Sequence, residues 1–174
     1  MNIMLLDEDP QLCAQLACDK HAVKMVTESS QLIATCFSLN KLKEAPKTQS
    51  GNYRKHFNPK HPSSIWARKS TGNLDWLLIF ALYQLDEYKF RYNRDHFCNE
   101  FIYWAINNVD EAQVVCGELT EFSVAISQDS LCRQKITNFD DLCVVQKYQE
   151  YYNWDKAYFA KWEKGRSKPN FFRH

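Results

Sequence analysis

Four side chains of complementary chemistry recur at helical spacing between Asp19 and Gln31: His21, Lys24, Glu28 and Gln31. At about 100° per residue they fall on one helical stripe roughly 80° wide. Val23, Val26, Ile33 and Phe37 fall on the opposite face, the side expected to meet a core. An imidazole, an amine, a carboxylate and an amide along one wall can position a substrate and move its protons. The same spacing also describes a solvated helix face. Lys24 and Glu28 are then an ordinary i,i+4 pair, worth about 0.2–0.5 kcal/mol.

The stretch resembles the first helix of the pyrimidine-dimer DNA glycosylases of the phage endonuclease V type. That helix presents a His and, seven residues on, an essential Glu, matched here by His21 and Glu28. Lys24, Glu28 and Gln31 also match a K-x3-E-x2-Q version found in related small phage proteins. Two further segments extend the likeness in the same order. His61-Pro-Ser-Ser-Ile-Trp-Ala-Arg68, with Asn73-Leu-Asp-Trp-Leu-Leu78 and Glu87-Tyr-Lys-Phe-Arg-Tyr92, is similar to the family's central block. Tyr148-Gln-Glu-Tyr-Tyr-Asn-Trp-Asp-Lys-Ala157 is similar to its aromatic C-terminal segment.

The resemblance implies a base-excision glycosylase with AP-lyase activity, acting on damaged or modified bases in DNA. Its nucleophile would be the α-amine of the N-terminus, at Met1 or Asn2, and its essential carboxylate Glu28. Lys24 is the second candidate for the imine-forming amine, because burial or the neighbouring Lys20 and His21 can lower a lysine's proton affinity. Such chemistry needs no metal and no cofactor, and neither is expected here. C-x2-C pairs, HExxH, GxGxxG and GxxxxGK[ST] are all absent, and four glycines are too few for a Gly-rich phosphate cradle.

A DNA-acting site also needs cations for phosphates and aromatic faces for displaced bases. Arg68, Arg91 and Arg94 are candidate phosphate clamps, since guanidinium grips phosphate through two donors. For Arg91 the alternative is a helix salt bridge with Glu87. His61 and His96 lie at loop–helix junctions and are each candidates for the site or for a structural role. Trp66 and the Tyr148/Tyr151/Tyr152 stripe fit either a core or a DNA-facing surface, with Lys156 and Lys161 beside the stripe. Asn73, from the central block, and Lys20, His21 and Gln31, from the first helix, complete the candidate substrate-binding set.

The charge distribution points the same way. Formal net charge is only +1. Residues 41–69 nevertheless hold eight Lys/Arg against one acid, and residues 156–174 six against one. Residues 110–141 hold seven acids against two bases. Two basic segments can meet a polyanion on one face, although a charged loop and tail would look the same. Two other function classes stay open: base or nucleotide modification on the same fold, and non-enzymatic binding of DNA or a host factor.

These residues must be positioned by a mainly α, single-domain helical bundle with a short N-terminal extended segment and a long basic loop. Asp9-Pro10 starts a helix, or two with a bend near Asp19, running to about Asn40. Residues 41–61 form the basic loop, Pro62–Lys69 a short helix, and Thr71-Gly72 a break. Asn73 caps the clearest helix, which reaches about Tyr92 with Leu74, Leu77, Leu78, Leu82 and Leu85 on one face. Helices follow over 96–107 and over 141–164, with mostly loop between them. No apolar run approaches a membrane span, so a cytoplasmic monomer in a bacterial or phage-infected cell is expected. The seven cysteines, Cys36 and Cys143 among them, read as reduced core thiols.

Overall fold

The computed structural model describes residues 2–174, and Met1, a candidate for the N-terminal amine, lies outside them. The fold is mainly α. Its helices are α1 (Pro10–Leu16), α2 (Asp19–Ala34), α3 (Pro62–Ala67), α4 (Thr71–Tyr92), α5 (Asn99–Asn107), α6 (Leu131–Lys135) and α7 (Val144–Tyr151). No strand occurs among the described residues.

The start of α1 follows its local chemistry. Asp9 accepts the Leu12 N–H at 2.8 Å, and Pro10 occupies the first turn, where no amide proton is needed. Ala17 and Cys18 are extended and separate α1 from α2. The second helix stops at Ala34, short of Asn40, because the Thr35 hydroxyl donates back to the Leu32 carbonyl at 2.7 Å and the chain turns.

The central helix is α4, with α1 and α2 packed against it. Leu74, Leu77 and Ala81 are fully buried, and so nearly are Trp76, Phe80, Glu87 and Arg91 on the other stripe. A helix enclosed on most sides leaves little of either stripe to water. The same enclosure corrects the two-faced reading of α2. Val26, Ile33 and Phe37 are buried as expected, but Val23 is 37% exposed while Met25, Glu28, Ser29 and Ser30 are buried. The N-terminal segment 2–6 has no regular secondary structure but is buried along its length, so this short apolar run belongs to the core.

Further boundaries differ from the sequence reading: α5 begins at Asn99 and α7 at Val144, each three residues later than expected. The cap of α4 is Ser70, whose hydroxyl accepts the Asn73 N–H at 3.2 Å, and Thr71-Gly72 forms the first turn instead of a break. Residues 115–119 run beside that turn, with Thr71 N–H to Val115 O and Gly72 N–H to Gly117 O at 2.9 Å each. A Cβ on Gly72 would lie 2.3 Å from the Leu119 nitrogen, so only glycine fits there. At the other end, α7 passes through a π-type turn (Tyr152–Lys156) and stops. Residues 157–174 are an irregular strap. Its Lys161 carbonyl takes the Asp19 N–H at 2.8 Å, Trp162 Nε1 donates to Leu16 O at 3.0 Å, and Arg166 pairs with Glu87 at 2.7 Å.

All seven cysteines are free thiols. Five are buried as expected, whereas Cys116 and Cys143 are exposed, because the segments that carry them lie at the surface.

Gly72→Ala should therefore cost about 2–3 kcal/mol, roughly 5–10 °C in Tm. Gly117→Ala, whose Cβ would meet only Ser70 Cβ at 3.5 Å, should change Tm little. Equal melting curves for the two variants would refute the close approach of 115–119 to α4.

Candidate functional site

The N-terminal segment crosses α2 at Glu28. The Asn2 backbone N–H donates to Glu28 Oε2 at 2.7 Å, and Lys24 Nζ meets Oε1 at 2.9 Å. Glu28 is 8% exposed, and so is Asn2. The Lys24 side chain is 62% exposed, so the pair joins a nearly buried carboxylate to an ammonium largely in water. The Asn2 side chain is locked as well. Its Oδ1 accepts from the Tyr148 hydroxyl at 2.7 Å, and its Nδ2 donates to Ala125 O at 2.9 Å. Tyr148 in turn accepts the Ala125 N–H at 3.0 Å. Four distant pieces of chain, at residues 2, 28, 125 and 148, are thus joined around one carboxylate.

His61, the cap of α3, stands near Glu28. Its Nδ1 accepts the Ser63 N–H at 3.2 Å. Burial lowers its pKa and the Glu28 charge opposes that shift, so a neutral ring carries its proton on Nε2 as a donor. Asn58, in the left-handed region at φ 44°, turns the chain into this corner, and Arg68 Nη2 holds Pro59 O at 2.6 Å.

Further along α2, the basic loop and the helix line an open cavity of about 490 Å³. Gln31, Ser30 and Thr27 form its helical wall, and Asn52, Tyr53, Arg54 and Phe57 part of the loop wall. The loop is tethered rather than loose. Thr48 N–H bonds Asn52 O at 2.9 Å, Arg54 Nε bonds Pro46 O at 3.0 Å and His56 Nε2 bonds Phe37 O at 2.7 Å. Lys47, Lys55 and Lys60 are exposed on it.

Of the residues anticipated from sequence, Asn2, Lys24, Glu28, Gln31 and His61 come together here, with Arg68 bracing the loop. The others lie elsewhere. His21 bonds the Tyr152 hydroxyl through Nδ1 and packs edge-on to Tyr152 and Phe159. Lys20 sits over Phe159 at 4.6 Å. This end of α2 is covered by α7 and the strap, so one helical stripe serves two neighbours. Trp66 is stacked on Phe122 in the core. Asn73 is fully buried, donating to Trp66 O at 2.7 Å and accepting the Thr120 N–H at 2.8 Å.

Arg91 is an internal ion pair and not a phosphate clamp. Its guanidinium, with no exposed side-chain surface, meets Glu87 at 2.6 Å and Asp19 at 2.9 Å. Arg94 bonds the Tyr88 hydroxyl at 2.9 Å. His96 is buried against Tyr88. Tyr152 is fully buried, while Tyr151 is half-buried under Lys156 Nζ at 4.4 Å. Tyr148 and Arg54 are the functional candidates that sequence reasoning left out of the site. Tyr148 was visible only as one member of an aromatic stripe, and Arg54 only as one charge of a basic loop.

No family model matches this chain, and no curated protein or solved structure does either. Among the described residues no three His, Cys, Asp or Glu side chains are grouped to hold a metal ion. No helix among them is long and apolar enough to cross a membrane.

The two buried imidazoles make stability depend on pH. Burial first, then the Lys156, Lys24 and Lys20 charges, lower the His21 pKa to about 3, and burial lowers His96 to about 4. Above pH 6.5 both rings are neutral in the folded and the unfolded chain. As pH falls below 6.5 only the unfolded chain takes up these protons, so stability drops, by about 1.4 kcal/mol per pH unit for His21 alone. Urea midpoints should fall steadily between pH 7 and pH 5. Midpoints that stay level across that range would mean that the rings protonate within the fold.

Proposed function

We propose that this chain is a DNA-base glycosylase with lyase capability, working through an N-terminal amine and Glu28. One observation carries the reading: the backbone nitrogen of Asn2 lies 2.7 Å from a nearly buried carboxylate. That nitrogen becomes the α-amine if Met1 is removed, and with Met1 kept the amine is one residue further on. Lys24 is the weaker nucleophile, because an ammonium bound to a carboxylate and largely in water has no lone pair to offer.

The steps balance as follows. The free amine attacks C1′, the nitrogen–C1′ bond forms, and the bond from C1′ to the base breaks. The base leaves and takes a proton from water. Glu28 stabilises positive charge on the sugar, accepts the proton shed by the attached nitrogen, and returns it to the ring oxygen as the ring opens to a protonated imine, the species borohydride reduces. His61 donates a hydrogen bond to a phosphate or sugar oxygen in this reading, since its Nδ1 is already taken by the Ser63 N–H. Lys47, Lys55 and Lys60 attract the backbone.

Borohydride should trap a protein–DNA adduct on abasic, ultraviolet-damaged or modified-base DNA, with mass spectrometry placing it at the N-terminal residue. Glu28→Gln keeps an acceptor for the Asn2 N–H, so DNA affinity should persist while turnover falls at least about 100-fold. Lys24→Gln should still form the adduct. If no substrate gives an adduct, and Glu28→Gln matches the unaltered protein in every assay, the enzyme reading fails and a binding protein remains.

Affinity for DNA should also fall with salt. Replacing Lys47, Lys55 and Lys60 by Gln should flatten the slope of log K against log salt, by about 0.7–0.9 for each phosphate that the loop then leaves without a cation. A slope unmoved by all three substitutions would take the loop out of the interface.

A further inference from the structure

We propose that the cavity between α2 and the basic loop is a binding site for a 5′-phosphorylated nucleotide unit, with Arg54 on the phosphate and the rings of Tyr53, Phe57 and Phe97 on the base. It names the substrate class of the glycosylase reading and rests on it, but binding is measurable without turnover.

Size and wall chemistry point to this ligand. The cavity, about 490 Å³, lies within the range of small-molecule sites. Arg54 and Lys55 line it, and none of its lining residues is Asp or Glu. Arg54 is half-buried, stacked on Phe101 at 3.9 Å with its Nε given to Pro46 O. The Cys98 thiol also lies beside it, and burial lowers its pKa. A guanidinium taken out of water without a carboxylate partner is costly. An anion supplied from outside removes that cost, and phosphate suits the guanidinium fork.

The rim accounts for the rest of the ligand. Tyr53, Phe57 and Phe97 are each about half exposed around the same opening. Three large rings held half in water at the mouth of a cationic cavity offer stacking faces that any base can use. Gln31 and Asn52 supply amides, which both donate and accept, toward the edge of a stacked base. Gln31 follows Glu28 by three residues, about 4.5 Å along the helix, so a nucleotide held here lies beside the carboxylate.

Calorimetric titration of the full chain with thymidine 5′-monophosphate, thymidine, inorganic phosphate and a short oligothymidylate tests the site. The monophosphate should bind at least ten-fold more tightly than thymidine or phosphate alone. Arg54→Gln should lose that ten-fold while leaving thymidine unchanged. Phe57→Ala, at an exposed ring whose loss does not threaten the fold, should weaken the monophosphate and the oligomer together. The oligomer should bind as well, and binding of the oligomer without the monophosphate would overturn a site built for one nucleotide unit. Phosphate binding as tightly as the monophosphate, or affinities unmoved by both substitutions, would overturn the proposal. Glu28→Gln should bind the monophosphate normally. A borohydride adduct without nucleotide binding would therefore refute the cavity and spare the glycosylase, and nucleotide binding without an adduct would do the reverse.

Discussion

The bond from the Asn2 nitrogen to Glu28 is the constraint around which the fold is arranged. A carboxylate that is 8% exposed must have donors, and a backbone N–H and Lys24 are among them. A hydrogen bond to a charged group is worth about 1.5–3 kcal/mol, enough to choose one register for the N-terminal segment. With Asn2 pinned, Ile3, Leu5 and Leu6 enter the core behind it. Tyr148 and Ala125 then complete the Asn2 side chain, which brings α7 and the irregular 112–127 segment to the same place.

Charge is divided between structure and surface in a way that net charge hides. Buried Glu87 binds both Arg91 and Arg166, so the C-terminal strap is fastened to α4 by its own cations. Arg173 is likewise taken by Glu150 at 2.5 Å. In the basic loop Lys41 bridges Glu44 and Glu111, whereas Lys47, Lys55 and Lys60 are exposed to water. Two segments of similar composition thus do different work: one closes the fold, and the other leaves its positive charge available on the surface.

The helical class, the Asp9-Pro10 start, the extent of α4 toward Tyr92 and the buried leucines were legible because each depends on local pattern. The spread of the α2 stripe over two neighbours was not, since helical spacing says which residues share a face but not how many elements cover it. His21 and Glu28 share that face, yet one meets Tyr152 and the other Asn2. The end of α7 was hidden for a related reason. Phe159 and Trp162 continue an aromatic pattern, but they pack as parts of a strap held by bonds to Asp19 and Leu16. Arg91 could be read as clamp or ion pair, and only the partners decide: three protein acceptors use its guanidinium.

Lys24 Nζ and the Asn2 N–H meet the Glu28 carboxylate at different oxygens. These two contacts limit what can replace Glu28. A glutamine keeps the shape and the acceptor for the Asn2 N–H but leaves Lys24 without the charge it pairs with. On the proposed mechanism the side chain that holds the Asn2 nitrogen is also the one that moves the proton, so a loss of chemistry there need not be a loss of fold.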